Sequence, residues 1–176
     1  MKLQRIETER LLLRELTVED AEHIYRTWTS DPRVTKFMTY PTHESVEVTK
    51  EWLADVEKHN EDVDSEVLDW GFELKSTGAL IGSGGAVYKD TFQRWSIGYN
   101  LAFDYWNKGY TTEGMKVIVE YLSSMGVKHF CACHAPGNPA SGRVMEKIGM
   151  KYWKDGTYVC HDGRVFEARY YALDLE

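Results

Sequence analysis

Residues 106–113 read Trp-Asn-Lys-Gly-Tyr-Thr-Thr-Glu and mark a change in the hydrophobic pattern of the chain. Before them, residues 94–101 follow a strand-like pattern; after them, apolar residues recur every three or four positions until Gly126. This change predicts a strand, a turn at Gly109 and a helix. The first N–H groups of a helix lack partners within it and carry partial positive charge, so the junction suits a phosphate, to which Lys108 adds a cation. An ordinary loop with capping threonines explains the residues equally well.

The rest of the chain alternates between the same two patterns, without repeats or a Pro/Gly-rich linker. Strands are predicted at residues 6–16, 67–75, 79–88, 94–101, 128–134, 150–159 and 165–173. Helices are predicted from Thr17 to before Asp31, after Thr42, from Gly109 to Gly126 and from Asn138 to Gly149. The predicted buried faces include Met125 on the third helix and Ala140 on the fourth. This order indicates a mixed α/β domain with a central sheet and no duplicated dinucleotide-binding half.

The length and charge of the chain narrow the classes of function that it could have. Its 176 residues fit one domain, residues 1–176, and 21 basic against 28 acidic residues give a net charge of −7. A chain this acidic is a poor non-specific binder of nucleic acid, and its field favours cationic ligands. The sequence has no apolar run of about 18 residues, so no membrane span is predicted. The opening residues 1–10 lack an apolar signal region, so we expect a cytoplasmic protein.

The cysteines do not indicate a metal centre. Cys131, Cys133 and Cys160 are odd in number and fit reduced thiols better than a disulfide framework. Cys131 and Cys133 are two positions apart on a predicted strand and therefore share a face. No second pair of ligands lies nearby in sequence, so we predict no metal site.

A second segment with possible chemistry is Pro136-Gly137-Asn138-Pro139-Ala140-Ser141. Asn138 before a proline at a helix start is what N-capping alone selects. Ser141 is harder to explain structurally, because it falls beside the predicted apolar face. Its hydroxyl could donate a proton to a leaving thiolate.

Three stretches together resemble the GNAT superfamily of acyl-CoA-dependent N-acetyltransferases, and specifically its RimJ/RimL-like (ribosomal-protein-alanine acetyltransferase) branch. Residues 8–14 resemble that branch's opening "TERLLLR" strand. Residues 97–99 followed by residues 105–113 resemble its "IGY…YWGKGYATEA" stretch. Asn138, Ser141 and residues 146–150 resemble its "N…S….EK.GF" pattern. The similarity covers nearly the whole chain in the right order.

The resemblance implies a twisted, mostly antiparallel sheet of about seven strands flanked by about four helices. Acetyl-CoA would lie in an opening between the fourth and fifth strands. The resemblance implies these cofactor-binding residues: Tyr99, Asn100, Leu101, Trp106, Asn107, Lys108, Gly109, Tyr110, Thr111, Thr112, Asn138, Ser141 and Lys147. Among them, residues 99–101 would bind the pantetheine arm and residues 108–112 the pyrophosphate. Asn138 would hydrogen-bond the pantetheine or the thioester region. Ser141 would be the catalytic residue that protonates the departing thiolate.

The sequence departs from the family pattern at three positions. Asn107 stands where the branch usually has Gly, and Thr111 where the superfamily has Gly or Ala. Ser96 replaces a frequent Glu, which removes one candidate general base. We therefore assign no base from sequence; Glu73 and an ordered water are the alternatives left open.

These observations lead to two hypotheses. The first is an enzyme that transfers acetyl from acetyl-CoA to a primary amine, either a protein N-terminus or a small molecule. The second is a non-catalytic acyl-CoA-binding or regulatory domain of the same fold. By the resemblance, the acceptor pocket would lie near residues 28–40 and 158–164, although core packing is an alternative role for their aromatic residues. Dimers are frequent in the branch, so a homodimer is expected.

Overall fold

A single sheet organises the computed structural model, which describes residues 3–62 and 64–176. Its eight strands are β1 (Ile6–Glu7), β2 (Leu11–Glu15), β3 (Val67–Leu74), β4 (Leu80–Lys89), β5 (Arg94–Leu101), β6 (His129–His134), β7 (Lys151–Val159) and β8 (Val165–Asp174). Their order is β1-β2-β3-β4-β5-β6-β8-β7. All neighbours are antiparallel except β5 and β6. The predicted mixed fold with a mostly antiparallel sheet is confirmed.

The predicted opening strand, residues 6–16, is wrong as a single element. It consists of β1 and β2, which fold back on each other so that Ile6 pairs with Leu13. Thr8 makes the turn, because its backbone N–H donates to the Leu11 carbonyl at 2.9 Å and its hydroxyl accepts from the Leu11 N–H at 2.9 Å. The extra strand shifts the numbering: the predicted fourth and fifth strands are β5 and β6.

Helices cover both faces of the sheet. They are α1 (Ala21–Ile24), α2 (Pro32–Thr35), α3 (Val46–Glu61), α4 (Tyr110–Ser124) and α5 (Pro139–Lys147), with 3-10 turns at Val18–Asp20 and Phe103–Tyr105 and a π-helical turn at Tyr25–Thr29. The main core lies under α4, and a second core packs α1 and α3 on the opposite face. The one-turn α2 was not predicted. In the described part of the chain, no helix is long and apolar enough to cross a membrane.

Two predicted helix faces are wrong in detail. Met125 is 51% exposed, because it is the C-cap residue of α4 and the helical period no longer applies to it. Ala140 is exposed, whereas Gly142 and Met145 are the buried residues of α5. Gly142 is buried because it lies against His134: a Cβ at Gly142 would be 2.6 Å from the imidazole Nε2.

Glycines allow α4 to pack closely on the sheet. A Cβ added at Gly84 would lie 2.5 Å from the Met115 sulfur and 2.6 Å from Cζ of Phe72. A Cβ added at Gly114 would lie 2.8 Å from the same Phe72 carbon. Because Phe72 fills the space that these two glycines leave, α4 is fixed on β4, and its N-terminus is held near the end of β5.

Candidate active site

The sheet opens where β5 and β6 diverge. The two strands run parallel but pair only at Trp95 with Phe130 and at Ser96 with Cys131. Beyond Ser96, β5 stays paired with β4 as far as Leu101, while its other edge has no partner strand among the described residues. The divergence forms a cleft of about 940 Å³ between β5, β6 and the starts of α4 and α5.

The cleft brings together residues that are distant in sequence. Twelve of the thirteen residues that the resemblance implied for the cofactor line it: Tyr99, Asn100, Leu101, Trp106, Asn107, Gly109, Tyr110, Thr111, Thr112, Asn138, Ser141 and Lys147. Lys108 does not line the cleft. Its ammonium donates to the Asp104 carbonyl at 2.9 Å and lies 5.4 Å from the centre of the Tyr105 ring. The structure therefore does not bring the predicted lysine cation to the junction at which the sequence predicts a phosphate.

The turn before α4 has the geometry of an anion site. Gly109 adopts φ 83° and Asn107 φ 61°, both in the left-handed region. Asparagine is one of the few residues besides glycine that enters this region readily, which explains how Asn107 stands where glycine is usual. The first helical hydrogen bond runs from the Glu113 N–H to the Gly109 carbonyl at 3.0 Å. The preceding amides of the helix therefore have no acceptor within it and are free to bind an anion.

A brace from the N-terminal turn holds this junction in place. Glu113 accepts hydrogen bonds from the Thr8 hydroxyl at 2.5 Å, the Arg10 N–H at 2.8 Å and Arg10 Nε at 2.7 Å. Arg10 also donates to the Lys108 carbonyl at 2.9 Å, and its guanidinium lies 4.4 Å from the Tyr110 ring centre. Burial raises the pKa of Glu113, but these bonds outweigh it and lower the pKa below the ordinary value. Sequence reasoning found only a strand at residues 8–14.

Ser141 is held from across the cleft. The Tyr99 hydroxyl on β5 donates to the Ser141 carbonyl at 2.8 Å and lies 3.0 Å from Ser141 Oγ. Burial raises the pKa of Tyr99, so its phenol stays protonated at neutral pH. These contacts fix the Ser141 side chain at the point where β5 and α5 approach each other.

Asn138 begins α5 without capping it through its side chain. Its backbone carbonyl accepts from the Ser141 N–H at 3.2 Å, while its carboxamide lines the cleft. Capping alone therefore does not account for this asparagine.

The structure brings no carboxylate to the cleft. Glu73 accepts from Arg14 Nε at 2.6 Å and lies away from the cleft wall. Ser96 lines the cleft at the position that often carries a glutamate in the branch. Among the described lining residues there is neither an Asp nor a Glu. The described residues that line the cleft therefore offer no carboxylate to deprotonate an amine.

The two segments expected at the acceptor pocket do lie together. The Tyr158 hydroxyl donates to the Phe37 carbonyl at 2.9 Å, and the His161 N–H donates to the Thr39 carbonyl at 2.8 Å. Phe37 and Tyr158 line the cleft. Trp28, in contrast, is fully buried in the second core, as the packing alternative proposed.

The described residues contain no group of three His, Cys, Asp or Glu side chains able to hold a metal ion. All three cysteines are free thiols. Burial raises the pKa of Cys133 to about 11 and also raises that of Cys131, so both are protonated at neutral pH.

Comparison with known proteins identifies the class to which this fold and cleft belong. A model of the acetyltransferase (GNAT) domain matches residues 10–151, and the chain therefore belongs to that family. YoaA of Bacillus subtilis, an uncharacterized N-acetyltransferase, is 28% identical over 173 residues, which cover 96% of this chain and 95% of the relative. The acetyl-CoA-dependent N-acetyltransferase class expected from the sequence is confirmed.

Solved structures support the same fold. A GNAT-family acetyltransferase from Bacillus anthracis superposes with a TM-score of 0.81 at 26% identity, over 97% of this chain and 98% of that one. RimL, a ribosomal α-N-protein acetyltransferase solved with coenzyme A, superposes with a TM-score of 0.84 over 98% of both chains at 13% identity. At that identity, the similarity to RimL establishes the fold alone.

Proposed function

We propose that this chain moves an acetyl group from acetyl-CoA to a primary amine by direct attack, with Ser141 as the proton donor to the leaving group. The observation that carries the proposal is the cleft itself. Where β5 and β6 part, it gathers an anion-binding helix start, an unpaired strand edge and a hydroxyl held by Tyr99.

The cleft residues fit acetyl-CoA. The amides of Tyr110, Thr111 and Thr112 and the left-handed backbone at Asn107 and Gly109 would receive the pyrophosphate. Most of the groups that would bind the pyrophosphate belong to the backbone. Threonine at position 111, where the superfamily has glycine or alanine, is therefore compatible with this site.

The free edge of β5 would bind the pantetheine arm through Tyr99 and Asn100, with Asn138 opposite. The Leu101 carbonyl is already taken, because it accepts from Trp106 Nε1 at 2.6 Å. Leu101 would therefore contact the arm through atoms other than its carbonyl oxygen. The Trp106 side chain lies at the end of the strand. Lys147 would supply a cation from α5.

When bound, acetyl-CoA supplies the acetyl thioester. Ser141 Oγ would give its proton to the sulfur that departs, and the Tyr99 hydroxyl would hold Ser141 in the orientation for that transfer. The walls of the cleft would align the amine with the thioester, because positioning supplies much of the rate in such a transfer. Since no carboxylate lines the cleft, the amine would reach it uncharged or lose its proton to water.

Four further features belong to this proposal. The chain would form one N-acetyltransferase domain over residues 1–176, supported by the continuous eight-stranded sheet. It would belong to the RimJ/RimL-like branch, supported by the resemblance of residues 8–14 to that branch's opening strand and by the contacts of Thr8 and Arg10 with Glu113. The acceptor would be a small amine or a protein N-terminus. A cytoplasmic location is supported by the free thiols.

A homodimer is supported by the edge of the sheet. Strand β7 ends the sheet and pairs only with β8, and its residues are almost all exposed. Tyr152 is 55% exposed and Val159 63%, and Val165 on β8 is 61% exposed. Such an exposed edge with apolar side chains is what a second copy of the chain would cover.

Two linked measurements test the transferase. In a thermal-shift titration, acetyl-CoA at about 100 times its Kd adds about 2.7 kcal/mol, which raises Tm by about 5–10 °C for a chain of this size. NAD serves as the control and is expected to give no shift. Failure of millimolar acetyl-CoA to raise Tm would contradict the proposed cleft.

Ser141→Ala then tests the chemistry. We expect thiol release in the presence of amines to fall by about 10²-fold or more while acetyl-CoA affinity is retained. A large loss of affinity in this variant would contradict the role of proton donor. Binding without turnover by either protein would instead support the non-catalytic alternative.

A further inference from the structure

The charge of the cleft is opposite in sign to that of the chain. The protein carries a net charge of −7, yet the described residues that line the cleft include five basic side chains and no acidic one. The five are Arg33, Lys36, Lys89, Arg143 and Lys147. A ligand entering the cleft is therefore in a positive local field, whatever the net charge of the molecule.

Three of these cations have other roles. Lys147 is the cation that the proposed function assigns to acetyl-CoA, and Arg143 lies one turn before it on α5. Arg33 is paired with Asp31 at 2.5 Å, and its guanidinium lies 3.8 Å from the Phe103 ring centre. Lys36 and Lys89 remain, and none of the ion pairs among the described residues includes either of them. The Lys36 ammonium lies 5.1 Å from the centre of the Phe37 ring, which itself lines the cleft.

Lys36 lies at the acceptor end of the cleft. It belongs to the segment that is fastened to the β7–β8 hairpin: its carbonyl accepts from Arg164 at 3.1 Å, and the Tyr158 hydroxyl donates to the next carbonyl, that of Phe37. The nearby Asp162 is already bound by Arg164 at 2.6 Å. Its charge is therefore not available to neutralise Lys36.

Lys89 lines the cleft from the sheet. It ends β4 two residues after Val87, so both side chains lie on one face of the strand. Val87 pairs with Ser96, and all three residues line the cleft. The other titratable groups here add no negative charge, because burial raises the pKa of Cys133 to about 11 and that of Tyr158 to about 12.

We propose that the acceptor is a primary amine carrying a carboxylate or phosphate group near its nitrogen, and that Lys36 and Lys89 bind that anionic group. This inference rests on the proposed function and specifies its substrate class. It reverses the expectation, drawn from the net charge, of a cationic acceptor. The same positive field favours the uncharged form of the amine. It thereby assists deprotonation in a cleft without a carboxylate base.

Matched amines test the substrate class. Alanine is compared with alaninamide, and phosphoethanolamine with ethanolamine, with spermidine as the polycation, by thiol release from acetyl-CoA. We expect kcat/KM for the anionic member of at least one pair to be about tenfold or more higher at low salt, and the preference to shrink as salt is added. The pair that shows the preference distinguishes carboxylate from phosphate. Equal rates within both pairs, or preference for spermidine, would overturn the proposal.

Lys36→Glu and Lys89→Glu test the two residues, with Lys50→Glu as the matched control. Lys50 is exposed on α3, away from the cleft, and its replacement changes the net charge equally. We expect the first two variants to lose about tenfold or more of kcat/KM for the anionic amine only, and the control to behave like the parent. A control as impaired as the cleft variants would refute a local role.

A final measurement separates this inference from the proposed function. If no amine of any charge is acetylated, the transferase proposal fails. The same amines are then titrated into the CoA-loaded protein by thermal shift. If only the anionic amines stabilise the protein, and Lys36→Glu loses this stabilisation, the selectivity of the cleft is upheld. If the anionic and the other amines give the same shift in Tm, the selectivity is rejected.

Discussion

The hydroxyl of Tyr99 ties β5 to Ser141, the proposed acid. The phenol is the donor to the Ser141 carbonyl at 2.8 Å, and its oxygen lies 3.0 Å from Ser141 Oγ. Because burial raises the pKa of Tyr99, the phenol does not ionise in competition with the serine. In the proposed mechanism its role would be to position Ser141, since the hydroxyl that would transfer the proton belongs to the serine.

Tyr99→Phe removes this hydroxyl and keeps the ring. We expect kcat to fall about tenfold with little change in the KM for acetyl-CoA, because the lost contacts orient Ser141 and leave the phosphate site intact. The decisive readout is the double variant: in a Ser141→Ala background, Tyr99→Phe should cost nothing more. An undiminished loss in that background would show that Tyr99 acts independently of Ser141.

Single residues also show what sequence reasoning could and could not give. The family pattern pointed to Ser141, Asn138 and the Gly109 turn, and all three line one cleft. It could not give the direction of the Lys108 side chain, which is set by the Asp104 carbonyl. The Asp104 carbonyl comes within reach of the Lys108 ammonium because residues Phe103–Tyr105 form a 3-10 turn.

At the scale of elements, Glu113 joins the start of α4 to the turn between β1 and β2. Three hydrogen bonds from Thr8 and Arg10 converge on a carboxylate that is 17% exposed. The start of α4 also carries the amides proposed for the pyrophosphate. Stability and the proposed binding of the cofactor would therefore depend on the same contact.

We expect Glu113→Gln to lower the free energy of unfolding by about 1–2 kcal/mol at neutral pH and to weaken acetyl-CoA binding. Since the pKa of Glu113 is lowered in the folded protein, its contribution is complete above the ordinary glutamate pKa. The contribution is lost as the pH falls through the lowered value. Urea unfolding across this range should show the two proteins converging in acid.

The control is Glu120→Gln on the same helix. Glu120 is 62% exposed, and its ion pair with Lys116 is 4.0 Å long, so its replacement should change stability by less than about 0.5 kcal/mol. A pH-independent difference for Glu113→Gln would argue that its charge is not what stabilises the turn.

The packing of α4 on the sheet can be tested with one added methyl group. Gly84→Ala would force a carbon to within 2.6 Å of Phe72 Cζ, and we expect a loss of about 1–3 kcal/mol. Gly98→Ala adds the same group on the neighbouring strand, where nothing lies within 4 Å. Its unfolding free energy should change by about 0.5 kcal/mol or less in denaturant titrations. Equal losses would contradict this packing account.

Most elements were predictable because their periods are regular, and the failures have local causes. The break between β1 and β2 depends on hydrogen bonds of Thr8 to Leu11, which no hydrophobic pattern records. The buried face of α5 depends on contact between Gly142 and the His134 ring, a residue pair on different elements. A glycine has no hydropathy that would mark it as the packing face.

For the whole molecule, the exposed outer strand predicts association. We expect sedimentation to give a mass about twice the 20.4 kDa of one chain. Val159→Lys, which places a charge on the exposed edge strand, should shift that mass toward one chain without lowering Tm by more than a degree or two. A mass of one chain for the unmodified protein at micromolar concentration would contradict the dimer.

The brace at Glu113 also has a consequence for the order in which the molecule is made. Thr8 and Arg10 emerge from the ribosome more than a hundred residues before their partner, since 105 and 103 positions separate them from Glu113. A nascent chain that ends before α4 therefore contains Thr8 and Arg10 but not the carboxylate that they bind. Binding of acetyl-CoA would then show that the N-terminal turn, which is synthesised first, has already docked on α4, which is synthesised later.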